Sequence, residues 1–404
     1  MSTSVKSVEE IPAPGKTDER RALGVACGAH ALHDGYTDLV YVLLPIWQGE
    51  FGLGFAALGL MKTVFSGTLA GFQIPAGFLA ERFGAATILA LGTALAGLGY
   101  VLAGFSNGVA FLVAALFVGG LGASTQHPLA SSLIAHAFAG SRSLKALGTY
   151  NFAGDIGKMT LPAAAALLFI VMPWRQALML LGGLGGVAAL VIFLAMPRFR
   201  DQPESVRKSN GATSSGAPVP GYAFPLLLSV GVIDSATRMA FLTFLPFVLP
   251  SKGASLQTVG LALTLVFAGG AAGKLVCAFI GARIGAVATV WLTETVTAVG
   301  ILALLPLPIE AGLLLLPVVG IALNGTSSVL YGSVPDLVEP SWRQRAFSIF
   351  YTGTIGAGAV SPAIYGLLGD AVGIPAALMV VAAVVLVTLP VTLVLRPALM
   401  ARPS

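Results

Sequence analysis

Residues 77–84 read Gly-Phe-Leu-Ala-Glu-Arg-Phe-Gly, and residues 278–285, which lie 201 positions later, read Ala-Phe-Ile-Gly-Ala-Arg-Ile-Gly. The same shift of 201 positions places other residues on identical partners, including Pro45 on Pro246, Arg142 on Arg343, Tyr150 on Tyr351 and Gly157 on Gly358. The hydropathy pattern repeats along with these residues. The sequence therefore predicts one structural unit that is used twice.

The composition excludes a protein with a water-exposed surface. Of the 404 residues, 56% are apolar and only 10% are charged, and the mean hydropathy is +0.90. A helix of about 20 apolar residues crosses about 30 Å of hydrocarbon. Twelve such stretches are read at residues 22–47, 55–80, 85–106, 109–137, 146–171, 174–197, 222–249, 255–280, 285–308, 311–336, 344–369 and 374–396. We therefore expect an all-α membrane protein with twelve transmembrane helices in two pseudo-symmetric six-helix bundles.

These stretches divide the chain into five segments. We expect an N-terminal segment, a first bundle, a linker, a second bundle and a tail, at residues 1–21, 22–197, 198–221, 222–396 and 397–404. The linker is first charged and then rich in small residues, which is typical of a flexible connection.

The placement of basic residues predicts the orientation. Most of the 22 lysine and arginine residues fall at one set of span ends, whereas only Arg175 and Lys252 fall in loops on the other side. Basic loops are retained on the cytoplasmic side. We therefore expect a multi-pass protein of the inner membrane, with both termini and the linker in the cytoplasm. This topology accounts for the net charge of +5 without a nucleic-acid partner.

Residues 77–84 resemble the loop signature of the major facilitator superfamily, written G-x-x-x-D-R-x-G, and residues 278–285 resemble its weaker second copy. With the repeat and the twelve spans, the resemblance covers nearly the whole chain. It implies a monomeric secondary transporter without a cofactor. Residues of the signature are expected to act as a conformational switch, in which the glycine lets two helices approach closely and the charges hold one conformation closed: Gly77, Glu81, Arg82, Gly84 and Arg283.

A narrower resemblance is to the fosmidomycin-resistance branch of that superfamily. It is carried by His-Ala-Leu-His-Asp-Gly-Tyr at residues 30–36, Gln-His-Pro at residues 126–128 and Gly-Asp-Ile-Gly-Lys at residues 154–158. The branch implies proton-driven export of small drugs, including an anionic phosphonate. The chain departs from the branch at Asp155, where Asn is common, and at Lys158, where an apolar residue is usual. The antiporter signature of the fifth span is also incomplete, because Leu161 precedes Pro162.

Ionisable residues lie inside several predicted spans, where each costs at least about 2.5–3.5 kcal/mol and requires a partner or a wet cavity. His30, Asp34 and Asp38 are four residues apart on one helical face. The superfamily resemblance implies that the first, fourth, seventh and tenth spans line a central cavity, with contributions from the fifth and eighth. We then expect six charged residues to converge there: Asp34, Asp155, Lys158, Asp234, Arg238 and Lys274.

Two interpretations of these charges remain open. Asp155 with Lys158, and Asp234 with Arg238, have the spacing of pairs that neutralise each other along one helix. Alternatively, the three cations form a hydrated pocket for a carboxylate, phosphonate or phosphate. On the second interpretation the predicted substrate-binding residues are Arg238, Lys158, Lys274, Asp234, Tyr36, Tyr41, Gln126 and Asn324.

Coupling to protons requires a group that binds and releases a proton as access alternates. Burial favours the neutral form of a carboxylate, and a nearby charge changes that balance. Asp34 is the first candidate, and histidines can also shuttle protons near neutral pH. The predicted proton-coupling residues are Asp34, Asp38, Asp155, His30, His33, His127 and Glu294.

The leading hypothesis is a proton-coupled exporter of small organic anions or drug-like compounds, with the substrate, protons and the lipid bilayer as its partners. Two alternatives are a proton symporter that imports a similar anion and a divalent-metal carrier that uses His30, His33, Asp34 and Asp38, although the surrounding cations argue against the latter. An enzyme is not expected, because the chain has no nucleotide loop, paired-metal signature or nucleophile elbow. No catalytic or resident metal site is predicted.

Overall fold

The computed structural model describes residues 15–138, 141–197, 220–339 and 342–400, and helices make up nearly all of them. The helices are α1 Lys16–Phe51, α2 Phe55–Gly71, α3 Gln73–Phe83, α4 Ala85–Gly104, α5 Val109–Ala123, α6 Gln126–Ala137, α7 Ser141–Val171, α8 Trp174–Ala195, α9 Ala223–Val248, α10 Leu256–Ile284, α11 Ala286–Leu304, α12 Ile309–Ser333, α13 Arg343–Val372, α14 Ile374–Leu386 and α15 Thr388–Met400. Short 3₁₀ turns at Pro250–Lys252 and Val334–Leu337 follow α9 and α12.

The length and hydropathy of the helices fit a protein that crosses the membrane many times. Within the described residues, ten helical segments are long and apolar enough to span a bilayer, and the bent pair of α2 and α3 raises the number to eleven. In addition, α1 has 36 residues, or roughly 54 Å at 1.5 Å per residue, and its mean hydropathy is lowered by histidines and aspartates. The prediction of an all-helical membrane protein is confirmed.

Helix packing repeats between the two halves of the chain. In the first half α1 packs on α7, α4 on α8 and α4 on α5; in the second half α9 packs on α13, α11 on α14 and α11 on α12. The backbone repeats as well. Gly84 and Gly285, which are 201 residues apart, have φ angles of +87° and +83°, and Gly52 and Gly253 have φ angles of +62° and +88°. Glycine adopts these angles without the penalty that other residues have, so the turns between helices are duplicated along with the helices.

The two halves join at one end of the molecule, here called the closed end, which carries Gly52 and Gly253. There α2 packs on α13 and α7 packs on α10. A large apolar core at this end combines residues of both halves, such as Trp47, Phe65 and Phe244. The opposite end, here called the open end, has two separate apolar cores, one in each half. The halves are therefore parted at the open end, which carries Gly84 and Gly285.

Hydrogen bonds between the halves reinforce the closed end. The Asp370 carboxylate of α13 accepts from the backbone N–H groups of Phe55 at 2.6 Å and Ala56 at 2.9 Å, at the start of α2. The Thr264 hydroxyl of α10 donates to the Met159 carbonyl oxygen of α7 at 2.8 Å. In the absence of these contacts the start of α2 would have unsatisfied N–H groups.

Three predicted spans are broken rather than continuous. The span at 55–80 is divided into α2 and α3, which meet at 42°, and the spans at 109–137 and 374–396 are divided at Ser124 and Val387. In each case a proline, Pro75, Pro128 or Pro390, follows the break by three to four residues. Proline lacks the N–H that would bond to the carbonyl four residues earlier, so the first helix ends there.

Two predicted segment boundaries also differ from the helix ends. α1 begins at Lys16 rather than at residue 22, and α15 continues to Met400, past the predicted end of the last span at residue 396. Residues 198–219 of the predicted linker (198–221) and residues 1–14 of the predicted N-terminal segment (1–21) lie outside the described residues.

Candidate functional site: a charged cavity between the two halves

A cavity of about 330 Å³ lies between the two halves, and side chains from both halves line it. This volume is within the range of sites for small molecules. The lining includes all six charged residues that the sequence places in the central cavity, together with Asp38, His127 and Asn324. They come from α1, α6, α7, α9, α10 and α12.

Asp34 is the most highly connected group of the cavity and is only 5% exposed. Its Oδ1 lies 3.3 Å from His30 Nε2 and 3.6 Å from His127 Nε2, and its Oδ2 lies 3.2 Å from Lys158 Nζ. All four side chains belong to α1, α6 and α7 of the first half. This group, here called the Asp34 cluster, is therefore built within one half of the molecule.

The environment of His30 determines where its ring hydrogen lies. His30 Nδ1 is 2.8 Å from the Tyr150 carbonyl oxygen, which can only accept, so Nδ1 carries the hydrogen. The neutral ring then presents a lone pair at Nε2 to the Asp34 carboxylate, which is also an acceptor. A hydrogen bond between them requires one more proton, on either the ring or the carboxyl group. One proton added to the Asp34 cluster would therefore lie in a hydrogen bond between His30 Nε2 and Asp34 Oδ1.

Three side chains of the Asp34 cluster, His30, Asp34 and His127, are of the types that bind metal ions. The ligand atoms of His30, Asp34 and His127 lie within 4.8 Å of one another, and imidazole and carboxylate suit divalent transition metals. However, the Lys158 ammonium is 3.2 Å from Asp34 Oδ2 and would repel a cation at that point. The residues therefore fit a proton better than a divalent metal ion.

Asp155 and Lys158 of α7 form ion pairs with residues of other helices. Lys158 pairs with Asp34 of α1, and Lys274 Nζ of α10 donates to the two Asp155 oxygens at 2.7 and 2.8 Å. The interpretation in which Asp155 and Lys158 pair with each other along one helix is therefore wrong for this conformation. Because α7 and α10 belong to different halves, the contact between Asp155 and Lys274 bridges the halves inside the cavity.

Arg238 lines the cavity without an ion-pair partner. Within the described residues no carboxylate oxygen lies within 4 Å of its guanidinium, although Asp234 is one turn away on α9. Its Nε is buried and has no hydrogen-bond partner there. The other two cavity cations already contact carboxylates, so Arg238 is the cation with most capacity for an incoming anion.

Lys62 is a further buried cation, and it contacts Thr37, which lines the cavity. Lys62 on α2 is 1% exposed, its ammonium donates to the Thr37 carbonyl oxygen at 2.7 Å, and it lies 4.2 Å from the centre of the Tyr41 ring. This cation–π contact and hydrogen bond tie α2 to α1 within the first half.

The structure places three predicted substrate-binding residues away from the cavity lining. Tyr36 donates its hydroxyl to the Leu181 carbonyl oxygen at 2.6 Å, Tyr41 donates to Met239 Sδ at 3.3 Å, and all three, including Gln126, are buried. Their hydroxyl or amide groups contact neighbouring helices instead, and the Gln126 amide donates to the Tyr150 hydroxyl at 3.5 Å. Contact with substrate is therefore not supported for them in this conformation.

Three predicted proton-coupling residues also lie behind the cavity wall: His30, His33 and Glu294. His33 Nε2 contacts the Thr93 hydroxyl at 2.8 Å, which gives it a structural partner on α4. Glu294 on α11 is buried and contacts Asp234, which does line the cavity. His30 is likewise absent from the lining and acts on it through Asp34.

The predicted switch residues lie at the open end without the predicted contacts. A Cβ atom at Gly77 would have no neighbour within 4 Å. The prediction that another helix approaches closely at this glycine is therefore wrong for this conformation. Glu81, Arg82, Gly84 and Arg283 are all exposed. Among the described helices, α3 packs on α4 and α6 of its own half, and the two halves are parted at this end.

Sequence reasoning missed several polar lining residues. Ser66 and Gln73 lie on either side of the break between α2 and α3, and Tyr331 and Tyr351 come from α12 and α13. Tyr351 was one of the residues that the repeat matched, with Tyr150, but nothing in the repeat indicates which copy faces the cavity. Uncharged residues in apolar spans carry little signal of their own.

Two related helical halves around a charged cavity define a membrane carrier of small molecules. Comparison with known proteins is consistent with that class: the sequence matches the Major Facilitator Superfamily over residues 26–232 and again over residues 227–403. The chain belongs to this superfamily, and it is a multi-pass membrane transporter with a small-molecule substrate rather than an enzyme. The resemblance that residues 77–84 carry is thereby confirmed.

Similar proteins have names that refer to different compounds. The chain is 24% identical over 355 residues to the fosmidomycin resistance protein of Escherichia coli, covering 86% of each. It is 26% identical over 384 residues to a protein of Cupriavidus necator named "Probable sulfoacetate transporter SauU", covering 87% of each. The fold is also that of a bacterial homologue of the human lysosomal transporter Spinster in an inward-facing and occupied conformation, with a TM-score of 0.80, 15% identity, and coverage of 96% of this chain and 99% of that one.

Proposed function

We propose that the protein carries small organic anions across the inner membrane by alternating access, with transport coupled to protons. The observation that carries the proposal is the Arg238 guanidinium, which faces the cavity between the halves without a carboxylate partner among the described residues. A guanidinium offers a planar set of donors that suits carboxylate, sulfonate and phosphonate groups. Lys158 and Lys274 add positive charge to the same cavity.

The names of the relatives point to the same chemistry. Sulfoacetate carries a sulfonate and a carboxylate, and fosmidomycin carries a phosphonate. Each molecule is a small acidic compound that the cavity volume of about 330 Å³ can accommodate. These names support an anionic substrate class without selecting one compound.

A ligand-stabilisation screen tests the anion site. Purified protein is heated with sulfoacetate, fosmidomycin and simple carboxylates at two pH values, and the unfolding temperature is recorded. We expect at least one of these anions to raise it, because binding to the folded state stabilises that state. The effect should disappear in Arg238→Ala and persist in the control Arg175→Ala, whose side chain, in the first turn of α8, pairs with Glu50 in the last turn of α1 at 2.9 Å. Stabilisation by Mn²⁺ or Zn²⁺ but by none of the anions would contradict the proposal and favour a metal carrier.

Proton coupling is assigned to the Asp34 cluster, because an added proton there completes a hydrogen bond between His30 and Asp34. Asp34→Asn keeps the side-chain size but cannot bind and release the proton. In proteoliposomes we expect this variant to lose anion transport driven by a pH gradient while it still binds the anion. The matched control is Asp336→Asn, at an exposed position. Full gradient-driven flux in Asp34→Asn would remove Asp34 from the coupling mechanism.

Two directions of transport fit this arrangement. Export in exchange for protons is the direction predicted from the sequence, and the resistance phenotype in the name of the Escherichia coli relative favours it. Import together with protons is the second candidate. It is favoured by the contact between Lys158 and Asp34, because an anion that binds Lys158 releases Asp34 to take up a proton. Flux measured with the pH gradient imposed in each direction separates them.

The proposed orientation places both termini and the open end in the cytoplasm, since basic residues concentrate at that end. Labelling of a single cysteine introduced near the C-terminus tests it. We expect an impermeant thiol reagent to label this cysteine only after the inner membrane is opened.

A further inference from the structure

Asp38 on α1 is a carboxylate that lines the cavity without an ion-pair partner. The residue is only 6% exposed. Among the described residues, no lysine, arginine or histidine nitrogen lies within 4 Å of its oxygens. A buried carboxylate without a partner is costly, because the protein does not replace the water that the charge has lost. Asp38 therefore has the capacity to bind a cationic group that enters the cavity.

The polar groups that flank Asp38 are directed elsewhere. The Thr37 hydroxyl donates to a carbonyl oxygen one turn earlier on α1 at 3.1 Å. The Tyr41 hydroxyl, which is one turn later, donates to a sulfur atom of α9 at 3.3 Å. The Lys62 ammonium donates to the Thr37 carbonyl oxygen at 2.7 Å. These donors therefore leave the Asp38 carboxylate available to a ligand.

Arg238 is the corresponding cation on the other half of the molecule. The contact between Tyr41 and Met239 shows how α1 and α9 are aligned, because Tyr41 follows Asp38 by three residues and Met239 is adjacent to Arg238. Three residues correspond to about 4.5 Å along a helix. Asp38 and Arg238 therefore line the cavity at similar depths, one from each half, yet no nitrogen of Arg238 lies within 4 Å of an Asp38 oxygen.

The two lysines of the cavity are held by other carboxylates. Lys158 lies 3.2 Å from Asp34, and Lys274 lies 2.7 Å from Asp155. Either lysine would have to leave its partner in order to neutralise Asp38. In the described part of the chain, a ligand between the halves thus meets a guanidinium from α9 and a carboxylate from α1 that do not pair with each other.

Asp234 is a second cavity carboxylate without an ion pair among the described residues. It precedes Arg238 by four residues, so the two side chains share one face of α9. An acidic group that binds Arg238 therefore lies on the same wall as Asp234, whereas Asp38 belongs to the other half. Asp38 is the better placed of the two carboxylates for a group at the other end of the same ligand.

We infer that the preferred substrates are small zwitterions, in which the acidic group binds Arg238 and an ammonium group binds Asp38. Such a ligand provides a partner for both charges and joins the two halves of the carrier. The contact between ammonium and carboxylate is a charge-assisted hydrogen bond. An acid without the ammonium group leaves Asp38 without a partner and adds negative charge near it. The inference rests on the proposed anion site at Arg238 and names the second group that the substrate carries.

Matched pairs of small acids test the inference, because the two members of each pair differ only in the ammonium group. The pairs are taurine with ethanesulfonate, aminoethylphosphonate with ethylphosphonate, and β-alanine with propionate. Calorimetry with the unmodified protein at about pH 7, where aliphatic amines are protonated, gives the dissociation constants. In at least one pair we expect the zwitterion to bind about 10- to 100-fold more tightly than its partner.

The variant Asp38→Asn removes the charge that the ammonium group requires and keeps the size of the side chain. We expect the preference for the zwitterion to disappear, because its dissociation constant rises by about 10- to 100-fold. The acid without the ammonium group should bind this variant at least as tightly as it binds the unmodified protein. Asp336→Asn, at an exposed position, is the matched control and should keep the preference.

Two results with the variants would overturn the inference. The first is a preference for the zwitterion that persists in Asp38→Asn; its loss in Asp234→Asn would then place the ammonium group at Asp234. The second is an affinity for the acids without ammonium groups that rises as the pH falls, is lost in Asp38→Asn, and is not improved by an ammonium group. That result would make Asp38 a proton-binding residue, as predicted from the sequence.

The comparison of matched acids in the unmodified protein remains decisive if a variant fails to fold. Equal binding of both members of every pair that binds would overturn the inference and leave the proposed anion site intact. If no member of any pair binds, the proposed anion site fails and the inference fails with it. The two failures are therefore distinguishable in the unmodified protein.

Discussion

The ion pairs of the cavity are made across helices. Asp155 and Lys158 are three residues apart on α7, yet Lys158 pairs with Asp34 and Asp155 pairs with Lys274, 119 residues away. Spacing along one helix shows which side chains share a face, but the partner of each charge depends on how neighbouring helices are rotated. This information is contained in the packing of the whole bundle.

The contact between Asp155 and Lys274 predicts a specific pattern of stability. Asp155→Asn and Lys274→Met should each lower the unfolding temperature, since each leaves the other group without its partner. The double variant should be less destabilised than the sum of the two single variants. Because the Lys274 side chain is 42% exposed, we expect a coupling energy of only about 0.5–1 kcal/mol.

Thermal unfolding of the four proteins of this cycle in detergent measures the coupling. Replacing Asp336, which is exposed at the open end, with Asn provides a control that should be neutral. Strict additivity of the two cavity substitutions would show that the ion pair contributes nothing to the folded state.

The sequence predicted the charged residues of the cavity well and the uncharged residues of its lining poorly. A charge in an apolar span is conspicuous because it is costly there, so Asp34, Arg238 and Lys274 could be selected from the sequence. Tyr41 shares the helical face of Asp34 but lies beneath Lys62 and contacts Met239. Neighbouring side chains cover Tyr41 completely, and the sequence does not show which side chains pack over it.

Among the helices, the breaks were harder to predict than the spans. Apolar length indicated the spans, but Pro75, Pro128 and Pro390 end helices whereas Pro45 and Pro162 lie inside continuous ones. A proline removes the same hydrogen bond in every case. Whether the helix ends or continues depends on whether neighbouring helices hold both segments in line, and a local sequence does not contain that information.

The start of α2 depends on a side chain from the other half of the molecule. The N-cap residue of α2 is Gly54, which has no side chain, and the Asp370 carboxylate from α13 accepts the two N–H groups instead. A carboxylate at a helix start also interacts favourably with the helix dipole. These hydrogen bonds can exist only while the closed end is closed.

Asp370→Ala should therefore favour the conformation in which this end opens. Loss of a helix cap costs about 1 kcal/mol, which corresponds to about a fivefold change in the ratio of the two conformations. A cysteine introduced at Ser66 in the cavity, with Cys27 and Cys277 replaced by Ala, reports the change. An impermeant thiol reagent added on the closed side should label it faster in Asp370→Ala than in the parent protein.

The control for this experiment is again Asp336→Asn, which is distant from the closed end. Equal labelling rates in Asp370→Ala and in the parent protein would show that the cap does not stabilise the closed end. Slower labelling would reverse the assignment.

At the scale of the whole molecule, the repeat of 201 residues extends to the contacts between halves. α2 corresponds to α10 and α7 to α13, so the two interfaces of the closed end, α2 with α13 and α7 with α10, are equivalent. The sequence repeat predicted two similar halves. It did not indicate at which end they meet, because the proposed alternating-access cycle requires the same chain to form both conformations.

Close packing of backbones at the closed end leads to a further prediction. A Cβ atom at Gly59 on α2 would collide with the Pro362 backbone of α13, whereas a Cβ atom at Gly67, also on α2, would have no neighbour within 4 Å. Overpacking costs about 1–3 kcal/mol. Gly59→Val should therefore disfavour the closed end by about 5- to 150-fold and reduce anion flux, and Gly67→Val should not.

Transport in proteoliposomes and the labelling rate at Ser66 measure the two variants together. We expect Gly59→Val to show low flux with fast labelling from the closed side. Normal flux in Gly59→Val would show that the interface between α2 and α13 can loosen without consequence.

The Asp34 cluster and the contact between Asp155 and Lys274 differ in how they can respond to motion. The cluster draws on α1, α6 and α7, and Lys62 fastens α2 to the same group, so a rocking first half would transfer these atoms from one compartment to the other with their spacing preserved. The Asp155 and Lys274 contact has one partner on each moving body. In the proposed alternating-access cycle the two halves move relative to each other, so this contact lengthens and re-forms as the carrier tilts.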